Sequence, residues 1–242
     1  PNITHLPSGV AAGTYAYPTS VTVDISGHTS AIVAGTAPGP SIPFILSATD
    51  LYVGTAAGTN SAVLNNTGVG QGGGLGLVNV GGDNNTAYGY ESLHALVAGQ
   101  ANTCVGAVTG DLIVNGTNNT GVGYATLNGG DTSENTALGA FALNASLASG
   151  LTAVGYRALA TNTTATGGTA VGYRALASCT GPTSQGNTAV GYNSQPVSTN
   201  SSGNTSLGYQ TLLQLVNGTD NTAVGTNALQ ACTGISNTAV GT

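Results

Sequence analysis

The sequence predicts an all-β protein: a parallel β-roll or β-solenoid of coils about 17 residues long, preceded by a small N-terminal β module. The main observation is a five-residue motif, Asn-Thr-Ala-Val-Gly and its variants, which occurs eleven times at steps of 16 to 19 residues. The second observation is composition, because 39 of the 242 residues are Gly and only 4% are charged, against roughly 25% in ordinary soluble domains. A period this short and regular indicates stacked supersecondary units rather than one globular core.

Two positions of the motif are the same in all eleven copies, and we predict that they are the structural positions of the repeat. The second position is always Thr: Thr67, Thr86, Thr103, Thr120, Thr136, Thr152, Thr169, Thr188, Thr205, Thr222 and Thr238. The fifth is always Gly: Gly70, Gly89, Gly106, Gly123, Gly139, Gly155, Gly172, Gly191, Gly208, Gly225 and Gly241. The fourth residue is apolar, the third is small, and Asn leads every copy except those that begin at Leu151 and Gly168.

The motif predicts one short strand and one corner in each coil. Thr-Ala-Val favours β structure, with Thr and Val on one face and the small residue on the other. A Gly after the strand indicates a positive φ or a tight corner that a Cβ would block. We expect a second short strand at Tyr-x-Ala-Leu and then a polar loop that absorbs the variation in period. Stacked coils would align ladders of Thr, Asn, Val and Tyr.

Such a coil has a thin core, so we expect an oligomer. Each repeat offers only two or three sizeable apolar side chains, typically Val, Leu and Tyr. Because the third residue is always small, we expect another surface to approach its face closely, and association there as a trimer about the fibre axis. A filament assembled end to end through the open edge of the last coil is the alternative.

The repeat begins only after the first quarter of the chain. We predict a β-hairpin module with a connector, lead-in strands and the repeat array, at 1–43, 44–64 and 65–242. The hairpin strands are expected at 20–24 and 29–33 around a Ser-Gly turn, and a Pro/Gly-rich connector follows at 35–43. The lead-in is expected to form two strands around 56–59.

The charge balance argues against two classes of partner. The chain has two Arg, no Lys and a formal net charge of −6. Because binding to nucleic acid needs cationic side chains along the phosphates, we expect no nucleic-acid partner. No run of about 18 apolar residues occurs, so we expect no membrane span. The chain begins at Pro1 and ends at Thr242, just after a motif, so we interpret it as a processed or truncated piece of a longer protein.

The unit Asn-Thr-Ala-Val-Gly-Tyr-x-Ala-Leu, over about residues 65–242, resembles repeats of viral and phage tail-fibre proteins. It is also similar to the head repeats of trimeric autotransporter adhesins, whose comparable motif is Asn-Ser-Val-Ala-Ile-Gly. The stretch from Gly9 to Tyr15, with 21–24 and Gly27, looks like a short β module of phage tail-fibre and neck-fibre proteins. The resemblance implies a parallel β-roll, left-handed and trimeric in the adhesins, and favours a phage or virus over a bacterium. The period of about 17 residues departs from the shorter adhesin repeat.

We predict no catalytic, cofactor or metal site. The eight carboxylates are dispersed, and only Asp131 and Glu134 are near neighbours; we interpret them as solvated loop residues, with a weak cation site as the alternative. The His show no ligand spacing, and the Cys are interpreted as small buried filler, with interchain pairing as the alternative. These residues are His5, His28, His94, Cys104, Cys179 and Cys232.

Two further sets leave alternatives open. We place Arg157 and Arg174 at one phase of the repeat, in coils next but one to each other, as a solvated face; a patch that contacts an anion or a glycan is the alternative. Six Tyr share another phase: Tyr90, Tyr124, Tyr156, Tyr173, Tyr192 and Tyr209. Packing in the core or an interface is the interpretation, and an aromatic stripe that binds sugars is the alternative.

The predicted function is that of a structural fibre or filament, a viral or phage tail-fibre type of rod that presents surfaces for host attachment. Its expected partners are further copies of itself and a cell-surface glycan or receptor, and its expected location is extracellular, in a virion or a cell-surface appendage. A trimeric bacterial surface adhesin is the first alternative. An ice-binding solenoid is a weaker one, because Thr shares its face with Val and is then expected to point inward. A glycan-degrading enzyme lacks convergent acids.

Overall fold

The protein is described by a computed structural model that covers four short strands near the N-terminus and two longer stretches. The described residues are 20–23, 29–33, 44–46, 51–53, 65–71 and 82–242. The chain forms two compact units, residues 1–42 and 43–242. The first unit contains an antiparallel hairpin of β1 (Ser20–Val23) and β2 (Thr29–Val33), which confirms the predicted strand pair. The predicted Ser-Gly turn, the connector at 35–43 and the phage-like stretch at 9–15 lie outside the described residues.

The second unit is built from short strands, most of them three residues long. They are β3 (Phe44–Leu46), β4 (Leu51–Val53), β5 (Thr67–Val69), β6 (Thr86–Tyr88), β7 (Thr103–Val105), β8 (Thr120–Val122), β9 (Thr136–Leu138), β10 (Ala145–Ser146), β11 (Thr152–Val154), β12 (Thr161–Asn162), β13 (Thr169–Val171), β14 (Ser178–Cys179), β15 (Thr188–Val190), β16 (Val197–Ser198), β17 (Thr205–Leu207), β18 (Thr222–Val224) and β19 (Thr238–Val240). Four of these strands, β10, β12, β14 and β16, form one parallel sheet, and the others form a sheet of 13 strands. The described part of the chain contains no helix.

The register of the large sheet follows the repeat. From β4 to β19 every neighbouring pair is parallel, and each motif strand places its Thr opposite the Thr of the next motif. The chain therefore advances by one motif per turn and forms a β-solenoid of about ten turns, with coils about 4.8 Å apart. The predicted all-β solenoid with coils of about 17 residues is confirmed.

Two lead-in strands lie within the described residues. Both β3 and β4 precede residues 56–59, and they pair with each other in an antiparallel hairpin. Strand β4 then pairs in parallel with the first motif strand. The hairpin thus extends the large sheet by two strands. Residues 54–64 lie outside the described residues.

The interior of each coil is filled by small residues and leucines. The third motif residue points inward and is buried in every coil except the last, where Ala239 is half-buried. Opposite it lies a column of leucines four positions after the motif Gly: Leu93, Leu127, Leu143, Leu159, Leu176 and Leu212, each at most 2% exposed. The small third residue is therefore a packing position inside one chain. The expectation that a trimer forms through this face is wrong, because the face is closed by the chain's own coil.

Gly turns the corner as expected. Every motif Gly has a positive φ, between 123° and 146°. A Cβ on Gly155 would lie 2.5 Å from the carbonyl oxygen of Gly172 in the next coil. The column therefore needs Gly both for its backbone conformation and for the close approach of successive coils.

The predicted second strand at Tyr-x-Ala-Leu is wrong. After Gly155, Arg157 and Leu159 both adopt positive φ, at 57° and 47°, and the Ala158 amide donates to the Gly155 carbonyl oxygen at 3.3 Å. The segment is a pair of turns that bends the chain inward and places Leu159 in the core. The second sheet comes later in the coil, from β10 to β16, with only two residues per strand.

Candidate functional site

The Thr of the repeat form a column on the outside of the large sheet. All eleven are half-buried or exposed, as is the fourth motif residue of each coil. The two positions share the outer face because they flank the inward third residue. The expectation that Thr points inward is wrong. The interior is filled by the Ala and Leu columns, so the face of Thr and Val is left to the outside.

The Asn that lead the motifs form a second column, and it is buried. Asn102 shows the pattern. Its Nδ2 donates to the Gly116 carbonyl oxygen at 2.8 Å and to Asn85 Oδ1 at 3.0 Å. Its Oδ1 accepts from the amide nitrogen and from Nδ2 of Asn119, at 3.1 and 2.9 Å. An Asn inside an unbroken run of the column thus bonds to the coil before it and the coil after it.

Leu151 and Gly168 interrupt this column, and other residues supply the missing donors. In β12 the buried Asn162 donates from Nδ2 to the Ala165 carbonyl oxygen at 2.8 Å and accepts from the Ala165 amide at 2.9 Å. One coil further on, Cys179 Sγ donates to the Ser184 carbonyl oxygen at 3.6 Å. The sequence predicted an Asn ladder; its burial and this replacement at the interruption were not predicted.

An outer apolar strip runs along the solenoid beside the Thr column. We define it as the fourth-position residues and the Tyr that follow the motif Gly: Val69, Tyr88, Val105, Val122, Leu138, Val154, Val171, Val190, Leu207, Val224, Val240, Tyr90, Tyr124, Tyr156, Tyr173, Tyr192 and Tyr209. All of these side chains are exposed or half-buried, Tyr88 at 58% and Leu138 at 48%. The interpretation that the Val and Tyr pack in the chain's own core is wrong. Contiguous apolar patches of this kind mark interaction sites.

The aromatic part of the strip is a stack of rings. Tyr156, Tyr173, Tyr192 and Tyr209 lie nearly parallel, with centroids 4.9 to 5.5 Å apart. Phe141 compensates for the Ala at the Tyr position of its coil and packs edge-on against Tyr124 and Tyr156. Because the ring faces cover each other, the rings within the stack expose their edges and hydroxyl groups to solvent. Sugars stack on ring faces, so this geometry disfavours the sugar-binding stripe.

The two Arg lie in adjacent coils, which corrects the predicted spacing. The Arg174 amide donates to the Tyr156 carbonyl oxygen at 2.9 Å, and Val154 pairs with Val171 in neighbouring strands. Both side chains are exposed, and neither forms an ion pair or a side-chain hydrogen bond within the described residues. They line a groove of about 420 Å³. Its other lining residues are Ala160, Thr161, Ala177, Ser178, Asn193, Pro196, Val197 and Leu213.

The two neighbouring carboxylates have separate surroundings. Asp131 accepts hydrogen bonds from the amides of Val114, Asn115 and Gly116 and from Asn115 Nδ2. Burial raises the pKa of Asp131, but these hydrogen bonds outweigh it and hold the pKa below its ordinary value. Glu134 lies at a positive φ of 60°. Asp131 therefore ties the loop of one coil to the next, and no group of three or more potential metal ligands occurs among the described residues.

The remaining reactive side chains have structural surroundings. His94 Nδ1 lies 3.3 Å from a carboxylate oxygen of Asp111. Cys104 and Cys179 are buried and Cys232 is half-buried, all three as free thiols. Burial raises the pKa of Cys104 to about 12. The first two Cys are small interior residues, which makes interchain pairing through them sterically unavailable in the folded coil.

Within the described residues, no helix has the length and apolar character that a membrane crossing requires. The structure brings together the Thr column, the outer apolar strip and the Arg groove on the exterior of one solenoid. A comparison of the chain with protein-family models, curated proteins and solved structures finds no match.

Proposed function

We propose that the chain is a structural segment of an extracellular attachment fibre, of the viral or phage tail-fibre type, with a mechanical rather than a catalytic role. The observation that carries the proposal is the in-register stack of eleven parallel motif strands with an outward Thr and an outward apolar residue in each coil. Such a stack transmits load along backbone hydrogen bonds and displays each surface position once per coil. Weak contacts at repeated positions add through multivalency.

Self-association follows from the outer apolar strip. A column of exposed or half-buried Val, Leu and Tyr along the array is larger than isolated surface residues would produce. Covering it would remove apolar surface from water along the full height of the coil stack. We therefore propose that copies of the chain associate side by side through this strip, with three copies about a common axis as the expected assembly.

The test combines electron microscopy with sedimentation of the intact chain. Rods of uniform width, with a mass three times that of the chain, are the expected result. A folded, monodisperse monomer at all concentrations would contradict the association. The double variant Leu138→Asp and Leu207→Asp places charge in the strip without touching the core, since both side chains are about half exposed. It should shift the assembly to monomer, whereas the matched change Leu147→Asp, at an exposed Leu outside the strip, should not.

A second candidate, an ice-binding surface, is favoured by the outward Thr column. Its hydroxyl and methyl groups repeat in register along one sheet, at about 4.8 Å per coil, and the Val column runs parallel to it. Thermal hysteresis of the folded protein tests this reading. If it is correct, Thr152→Tyr should abolish the hysteresis, while Thr166→Tyr, at an exposed Thr outside the column, should leave it intact. Absence of hysteresis in the unmodified protein would remove this candidate.

A further inference from the structure

The only two cationic side chains of the protein share one groove, and no acid is near them in sequence. The segment between Glu134 and Asp220 contains no Asp or Glu, and both Arg lie in it. The rest of the chain holds all eight carboxylates. Charge is therefore segregated along the solenoid, with a positive zone in an otherwise acidic protein.

The coil geometry places the two Arg at equivalent positions of adjacent coils, where both line one groove. Arg157 and Arg174 occupy the same position of adjacent coils, about 4.8 Å apart along the axis, and neither has a carboxylate partner within the described residues. Like charges at this spacing repel each other. A negatively charged group bound between the two guanidinium groups would offset this repulsion. Guanidinium groups bind oxyanions with two parallel hydrogen bonds, which a pair in register can offer twice.

Neutral polar groups complete the groove. Asn193 follows Arg174 in the same column, since its amide donates to the Tyr173 carbonyl oxygen at 2.9 Å. Its side-chain Oδ1 is buried and has no hydrogen-bond partner among the described residues. Thr161 and Ser178, paired in register in β12 and β14, also line the groove. A buried acceptor without a donor needs an explanation, and a ligand hydroxyl group that enters the groove would supply the missing donor. Ala160 and Ala177 line the groove as well, with small side chains that leave room.

We propose that this groove binds an oxyanion carried on a hydroxyl-rich chain, that is, a segment of an acidic polysaccharide. Arg157 and Arg174 hold the carboxylate or sulfate oxygens, and Asn193, Thr161 and Ser178 bond to neighbouring hydroxyl groups. The groove runs over successive coils, which suits an extended ligand. The inference rests on the proposed attachment role for its biological meaning, and it names the class of surface that the fibre would attach to.

The experiment uses the fact that the full chain has only two Arg and no Lys. In a ¹⁵N-labelled sample the Arg Nε–H groups give two signals, each assigned by the loss of one signal in Arg157→Gln or Arg174→Gln. The probes are tetragalacturonate, inorganic sulfate and a neutral oligosaccharide of the same length. We expect both signals to shift together with tetragalacturonate, weaker binding of sulfate at the same signals, and no shift with the neutral oligosaccharide.

The substitutions separate binding from folding. Gln210 occupies the same column position one coil beyond Asn193, because its amide donates to the Tyr192 carbonyl oxygen at 2.9 Å, so the fold accepts Gln there. Each Arg→Gln change should weaken tetragalacturonate binding by about tenfold or more without changing the unfolding temperature. Asn193→Arg should tighten it, and Gln210→Asn, outside the groove, should have no effect.

The outcomes are distinct for the groove and for the fibre. No shift of either Arg signal with millimolar tetragalacturonate or sulfate overturns the groove proposal, and so does equal affinity of the Arg157→Gln, Arg174→Gln double variant. Equal affinity for sulfate and tetragalacturonate overturns the polysaccharide part, since the site then recognises a free oxyanion. Rods without binding leave the fibre proposal standing, and binding without rods leaves the groove standing.

Discussion

Two regions of the solenoid close their coils in different ways. Where the Asn column is continuous, from Asn66 to Asn135 and from Asn187 to Asn237, a buried amide bonds to the coil on each side. In the coils that begin at Leu151 and Gly168 that amide is absent. There the Ala165 carbonyl oxygen receives its donor from Asn162, on the opposite strand of the same coil.

The space of the missing Asn is filled by apolar atoms. Leu151 is 1% exposed, and its Cδ2 lies 3.4 Å from where a Cβ on Gly168 would stand, next to Leu159. The side chain of Leu151, packed over Gly168, thus fills the space that two Asn side chains fill elsewhere in the column. The comparison teaches that the fold requires a filled column and a donor for each buried carbonyl, and that the Asn is one of two ways to supply them.

A polar coil forms a third variant. Gln195 occupies the Leu column, fully buried, next to Ser194 and Ser198. The buried apolar residues fall into two clusters, one that ends with Ala189 at the start of this coil and one around Leu212 and Leu215 in the next coil. Here the Asn column is intact while the apolar core is interrupted, the reverse of the coils at Leu151 and Gly168.

The Gly column runs through both regions, so substitutions in it should cause the largest loss of unfolding free energy in each. In Gly106→Ala and Gly155→Ala a Cβ would collide with the carbonyl group of the next Gly, and we expect a loss of more than about 4 kcal/mol of unfolding free energy, or no folding. Gly186→Ala is the control, because a Cβ there meets nothing within 4 Å, and the left-handed backbone costs about 1 kcal/mol. Chemical denaturation measures all three. Equal losses for the three variants would contradict a steric role of the column.

Removing a buried side-chain amide should cause the next largest loss of stability. It also tests whether Asn162 takes over the role of the Asn column in the coils where that column is interrupted. Asn102→Ala leaves the Gly116 carbonyl oxygen and the Asn119 amide without partners, at a cost of about 3–5 kcal/mol. Asn162→Ala leaves only the two polar groups of Ala165 unpaired, and about 2–3 kcal/mol is expected.

The exposed Asn217 makes no side-chain hydrogen bond to any described residue, so Asn217→Ala should change the unfolding free energy by less than about 0.5 kcal/mol. Denaturant titrations of the three Asn variants supply the comparison. A loss for Asn162→Ala as small as that of Asn217→Ala would show that the two regions do not use equivalent donors.

A reciprocal pair of core substitutions tests the polar coil. Gln195 Oε1 is buried without a hydrogen-bond partner in the described part of the chain, so Gln195→Leu should stabilise the protein by about 1–2 kcal/mol. Leu176→Gln buries an amide in the neighbouring coil and should destabilise it by about 2–4 kcal/mol. Thermal unfolding of both variants gives the signs. Destabilisation by Gln195→Leu would show that the Ser-rich surroundings need the amide.

The smallest expected change in stability comes from a loop carboxylate, Asp131, and depends on pH. The folded-state pKa of Asp131 lies below its ordinary value because the hydrogen bonds from the Asn115 amide and side chain, Val114 and Gly116 outweigh the effect of burial. A depressed pKa contributes stability that is present above the ordinary value of 3.8 and is lost as the pH falls through the folded-state pKa. The unfolding temperature should therefore drop between neutral and acidic pH, and less so in Asp131→Asn. An equal drop in both would assign the acid sensitivity to other carboxylates.

The repeat determined the class of fold because its period is visible in one chain. Thr, a small residue, an apolar residue and Gly at fixed spacing predicted a parallel stack with a glycine corner, and the β1–β2 pair followed from alternation and a Ser-Gly turn. The turn conformation of Tyr-x-Ala-Leu could not be predicted in this way. Tyr, Ala and Leu also suit a strand, and only the closure of the coil imposes positive φ on Arg157 and Leu159.

The residues of the candidate groove also divide into those that the sequence identified and those that only the structure revealed. The sequence identified Arg157 and Arg174 as a pair at one phase of the repeat. Asn193 occupies the same position one coil further on, where the residue type gives no sign of a shared groove. Thr161 and Ser178 come from the second sheet, whose two-residue strands are too short for any sequence pattern to reveal.

By itself the sequence determined the period, the all-β stack and which positions recur. Only the tertiary structure decided which face of each strand points inward. In a strand the two faces alternate, so Thr and Val share one face whichever way it points. The buried leucines, the small third residues and the Asn column occupy the interior, and this leaves the Val, Tyr and Thr columns outside, where the protein can present them to a partner.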